Sequence, residues 1–94
     1  MAGALALTRE MVDEMAVLSD VGFRLAVTLP LICDDDWTFD PHHGGLMVAL
    51  RLPNLAVAAA ALGELVGMGL VWFDSTGRAH LGGWLHDQTF ELAS

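Results

Sequence analysis

The sequence predicts a mainly helical α+β domain, with three core helices leading into a two- to three-stranded antiparallel sheet. Three observations carry this expectation. Apolar residues recur at helical spacing from Val21 to Ile32, two capped helices meet at a proline break near residue 53, and two apolar runs flank the turn "DSTG". The chain has 94 residues, enough for one domain with a single modest core. Residues 1–94 are therefore read as one unit, with the core over about 18–88 and residues 1–17 as an N-terminal extension carrying a short helix.

In "REMVDEMAV", Met11, Met15 and Leu18 share one side and acids take the other, with Thr8 as the only cap. Ser19 caps the next helix, and Asp20 places a negative charge in its first turn, where the helix dipole favours it. Val21, Leu25, Leu29 and Ile32 make its inward stripe, widened by Phe23 and Val27. Pro30 lacks a donor and is expected to kink the last turn or end the helix early. An acidic turn, Asp34 to Asp36, precedes a short strand at "WTF".

Asp40 is the expected cap of the following helix, with Pro41 at its first position, although Gly44-Gly45 weakens that first turn. Arg51-Leu52-Pro53 is a tight break, and Asn54 caps a helix to about Gly67. Leu55, Ala58, Leu62, Leu65 and Val66 form the expected inward stripe of that helix. Leu70–Phe73 and Arg78–Leu81 then read as a hairpin with Gly77 at the turn. Two helices joined by three or four residues make a helix-turn-helix, and the order helix, strand, helix, helix, hairpin is that of a winged helix. "WTF" supplies the third strand on the hairpin's edge.

Four stretches, "LSDVGFRLAV", "DDDWTFDP", "AAALGELVGMGLV" and "RAHLGGWLHDQ", resemble the winged-helix module that opens many bacteriophage replication proteins of the replisome-organiser type. Such proteins are encoded by phages and prophages, including those of high-GC hosts. The likeness runs from Leu18 to Gln88, roughly three quarters of the chain, and includes the Trp84…Gln88 spacing after the wing. It implies a winged helix-turn-helix, origin-DNA binding, and helicase-loader recruitment by segments downstream. Six residues follow Gln88, so no downstream recruiting domain is expected, and the basic residues common on the family's recognition helix are missing.

Charge bears on the ligand. There is no lysine, and four arginines face twelve acidic residues for a net charge of −8. Such a field repels nucleic acid at long range unless a local patch overrides it. The groups able to meet phosphate near the helix-turn-helix and wing are Arg51, Asn54, Thr76 and Arg78, with Arg24 as a helper. A weak to moderate, salt-sensitive contact with double-stranded DNA is the most they would give. The outward face of the 54–67 helix reads as Ala56, Ala59, Ala60, Gly63 and Gly67, with Glu64 at its margin. Small uncharged residues let another backbone approach, which suits a protein partner. Together with apolar residues in 1–7 they suggest a homodimer or a docking surface.

Other chemistries have little support. His42 and His43 diverge, His80 and His86 lie elsewhere, and no zinc spacing exists, so no metal or cofactor is expected. Asp34–Asp36 lacks the calcium-loop ligand pattern. No phosphate loop, nucleophile elbow or nucleophile–base pair is visible, so no catalytic residues and no small-molecule substrate are expected. Cys33 reads as a buried small hydrophobe beside acids that disfavour a thiolate. Trp37 and Trp72 read as sheet or core packing, and Trp84 as partly exposed. The N-terminus lacks a basic region and does not fit a secretory signal. The apolar run 52–70 is interrupted by Asn54, Glu64 and glycines, so it reads as a packed helix and no membrane partner is expected. A cytoplasmic site in a bacterial host fits these readings.

Two functions follow. One is a small, non-enzymatic phage-type winged helix that binds DNA or regulates, in phage replication or transcription control. The alternative is an acidic winged-helix module that binds a protein of a host or phage DNA-binding machine and not DNA itself.

Overall fold

The computed structural model describes residues 3–91. Along the chain, strand β1 (Gly3–Leu5) and helix α1 (Arg9–Glu14) lead through a 3₁₀ turn, Met15–Val17, to α2 (Asp20–Ile32) and β2 (Thr38–Phe39). Then come α3 (His43–Leu50), α4 (Leu55–Gly67), β3 (Val71–Phe73), β4 (Ala79–Leu81), α5 (Gly83–Asp87) and β5 (Thr89–Glu91). The fold is α+β and mainly helical, with a small antiparallel sheet in the order β2-β4-β3.

Helix α2 starts where the sequence places it, with the Ser19 hydroxyl accepting from the Gly22 N–H at 3.1 Å. Leu25, Ala26 and Leu29 are fully buried, and burial of a leucine side chain contributes roughly 1.5–3 kcal/mol. Pro30 does not end the helix, which runs on to Ile32 and closes with Cys33 N–H donating to the Leu29 carbonyl. Ile32 is exposed and Ala26 takes its place in the core. Thr8 caps α1, and Met11 and Met15 pack into the same core as α2 and α4.

The expected start of α3 moves. Asp40 Oδ1 accepts the His42 N–H at 3.0 Å, so the carboxylate closes a local turn and does not cap the helix. The helix begins at His43, with His42 in the cap position and no side-chain cap.

At the hairpin, Trp72 pairs with His80, and on β4's other edge Thr38 pairs with the same His80. Gly77 has φ +85°, the left-handed conformation that the turn requires. A second sheet joins the two ends of the described chain, with Gly3 opposite Glu91 and Leu5 opposite Thr89. This pair is absent from the sequence reading, because three-residue strands give too short an alternation to detect. Leu5, expected on a docking surface, is buried in the core, whereas Leu7 stays exposed.

Among the described residues no single helix is long and apolar enough to cross a membrane.

Candidate interaction surface

The surface starts from a corner. Helices α3 and α4 meet at 99° across a four-residue connection. Arg51 takes the left-handed conformation there, φ 53° and ψ 47°. Its N–H bonds the Val48 carbonyl, and Leu52 N–H bonds Met47 at 2.8 Å, which satisfies the open end of α3. Burial of Leu52 helps offset the strain of a non-glycine residue at this position. Asn54 Oδ1 accepts the Val57 N–H at 3.0 Å and starts α4.

The four proposed DNA contacts fare differently. Arg51 projects from the corner and is exposed. Asn54 lies beside it, with its carbonyl oxygen committed to the cap. Thr76 donates its hydroxyl to Asp74, so it is part of the β3–β4 hairpin turn. Arg78 is engaged within the fold, although its side chain stays 41% exposed. Its Nη2 lies 2.6 Å from Asp34 Oδ2, and Nε and Nη2 both donate to the Thr38 hydroxyl at 3.1 and 3.0 Å. This is why the acidic turn sits where it does: it holds the guanidinium that links β4 to the β2 edge. Arg24, the expected helper, donates to the Leu50 carbonyl and closes the end of α3.

Asp74 organises the β3–β4 hairpin. Its carboxylate accepts from the Thr76 hydroxyl and N–H and from the Arg78 N–H, and it faces His80 Nε2 at 2.7 Å. The Thr76 hydroxyl first, then His80, hold its pKa well below the usual carboxylate range. Asp36 is likewise lowered, chiefly by the Thr38 hydroxyl. The Trp72 ring stacks on His80, centroids 4.0 Å apart, and stays 49% exposed. Of the two expected placements, sheet or core, Trp72 takes the sheet, lying over its cross-strand neighbour and outside the core. Trp37 is half-buried and meets the His86 ring, while Trp84 is partly exposed as expected.

On α4 the buried side consists of Ala58, Ala61, Leu62 and Leu65. Leu55 and Val66, expected inward, are exposed. In a helix made almost entirely of apolar residues, the pattern leaves its rotation open, and the core selected the sector containing Ala61. The outward sector carries Leu55, Ala56, Ala60, Gly63 and Val66, with Ala59 half-buried among them, and Val48 of α3 is also exposed. Glu64 does not edge this strip as a free charge. It accepts the Ser19 N–H at 2.7 Å and the Ser19 hydroxyl at 2.6 Å, which lower its pKa, the hydroxyl more than the N–H. A Cβ on Gly22 would fall 2.9 Å from this carboxylate, so a larger residue there would push the Glu64 side chain off its present position.

Among the described residues no three histidine, cysteine or acidic side chains gather as a metal site. Cys33 is buried, and burial first, then Asp34 and Asp36, push its thiol up to about 11. Such a thiol is a poor nucleophile at neutral pH. In comparisons with protein families, curated proteins and solved structures, the chain matches none.

Proposed function

We propose that this chain is a small, non-enzymatic winged-helix module of phage-type replication or transcription control, acting by docking on a protein. The observation that carries the reading is that Arg78 is held by Asp34 and Thr38 while the outward strip of α4 bears no charge. A DNA reader needs cations aimed at phosphates, and each phosphate contact adds almost one unit of salt slope. Near the corner and hairpin, Arg78 and Arg24 each donate within the fold while Arg51 is exposed, all within a net charge of −8. The same strip suits a protein: small side chains permit close approach, and Leu55 and Val66 add apolar area.

Direct DNA binding is the second reading. It is favoured by the 99° corner, which lies within the usual range for a helix-turn-helix, and by Arg51 at its turn. Titration of labelled duplex at low and high salt separates the two. The protein-docking reading expects no saturable binding at low salt. Saturable binding that weakens with salt and is lost in Arg51→Ala would overturn it.

A further inference from the structure

At the far end of α4 from the corner lies an open cleft of about 220 Å³, lined by Glu14, Met68, Gly69, Leu70 and Trp84. Its floor is fixed. Gly82 N–H bonds the Leu70 carbonyl at 2.7 Å, and a Cβ on Gly82 would collide with the Gly69 carbonyl. Met68 and Trp84 stand 40% and 39% exposed in it, while Leu70 is buried beneath. Glu14 is exposed and has no ion-pair or hydrogen-bond partner for its carboxylate among the described residues. The last turn of α4, whose carbonyl end is the negative pole of the helix, carries no basic side chain. The unpaired carboxylate, the indole and the helix pole favour a cation, and none of the four arginines of the chain lines the cleft.

We infer that this cleft receives an arginine side chain presented by a basic segment of a partner protein. A guanidinium stacks on an indole face, its methylene stem runs along Met68, and its planar fork matches the Glu14 carboxylate. Lysine would supply the charge without the stacking plane. The net charge of −8 draws in a basic segment from a distance. A second copy of this chain brings the same negative field, which disfavours it as the occupant of this cleft. The inference stands whether the α3–α4 corner meets protein or duplex, since the cleft shares no residue with that surface.

The test uses the whole chain, isotopically labelled, and a short acetylated peptide carrying two arginines among alanines. A control peptide replaces both arginines by citrulline, which keeps the shape and removes the charge. The arginine peptide should give saturable NMR shifts at the Trp84 indole N–H and the Met68 methyl. Glu14→Gln and Trp84→Ala should each weaken binding at least about fivefold, while Trp84→Phe keeps most of it. Citrulline should give no saturable shift. Equal binding of the citrulline peptide overturns the assignment to a cation. Shifts spread over Asp20, Asp35 and Asp40 and unaltered by Glu14→Gln reduce the effect to diffuse charge attraction and also overturn it. Should Trp84→Ala fail to fold, Glu14→Gln on the exposed side of α1 decides alone.

Discussion

Glu64 of α4 grips the start of α2 by accepting both the backbone N–H and the hydroxyl of Ser19, 45 residues earlier. A side chain on one helix thus completes the cap of another, and Ser19 in turn takes the Gly22 N–H. Glu64→Ala removes both acceptors. The site is partly solvated, so screening brings the cost down to about 1 kcal/mol, below the roughly 1.5–3 kcal/mol of shielded charged hydrogen bonds. Thermal unfolding should fall by roughly 4–8 °C. Glu64→Gln should recover part of the loss, because an amide oxygen still accepts one bond. A Glu64→Ala melting temperature equal to that of the native chain would show the cap to be idle.

Arg51 holds a left-handed backbone with φ 53°, a conformation that costs a side-chain-bearing residue about 1 kcal/mol. Arg51→Gly should therefore stabilise the fold relative to Arg51→Ala by about that amount, read from denaturant midpoints at constant slope. Equal stability of the two variants would mean that the corner relaxes to another conformation.

Arg78 has two plausible roles, and they separate cleanly. As a bracket between Asp34 and Thr38 it is a half-exposed pair plus two hydrogen bonds, so Arg78→Ala should cost about 1 kcal/mol after allowance for solvent. Arg78→Lys should not restore it, since an ammonium cannot reproduce the Nε and Nη2 pair on one hydroxyl. A variant with native stability and weakened duplex binding would reassign Arg78 to DNA.

Asp74 sets an acid limit on the β3–β4 hairpin. Its folded pKa lies below the ordinary 3.8, so its contribution is complete above that value and fades as the pH falls toward the folded pKa. Asp74→Asn should therefore be less stable than the native chain near neutral pH, with the gap narrowing below about pH 4. Taking the difference between the two chains cancels most of the relief of general negative repulsion on acidification. A gap that widens as the pH falls would reverse the sign and rule out this role.

The legible parts of the fold are those written locally. Ser19 and Asn54 each accept an N–H three residues on, and Gly77 supplies a turn within four residues. Helix starts and the hairpin could therefore be read directly. Ser19–Glu64 and Arg78–Asp34 span 45 and 44 residues, and no spacing rule announces them. Arg78 and Arg24 looked free for that reason, although both spend their donors inside the fold. The strip on α4 was legible in kind and not in rotation. Ala56, Ala60 and Gly63 face outward as expected, while Leu55 and Val66 join them and Ala61 turns in.

The sharpest test of the functional reading exploits that strip. Gly63 is exposed, and a Cβ added there meets nothing within 4 Å, so Gly63→Arg should fold. Its backbone is helical, and arginine is a better helix former than glycine by several tenths of a kcal/mol, which should raise stability slightly. A bulky cation then stands in the middle of an uncharged surface. If the strip docks on a protein, the variant buries an unpaired charge and loses close approach, so binding should drop by at least about tenfold. If the strip enters a DNA groove, the same cation adds a phosphate contact, and low-salt affinity should rise with a steeper salt slope. One substitution therefore moves the two readings in opposite directions. Sedimentation of native and variant chains shows in the same experiment whether a second copy is the partner, since a dimer seated on the strip would dissociate in Gly63→Arg. Stronger duplex binding by the folded variant than by the native chain would move the protein from docking module to DNA reader.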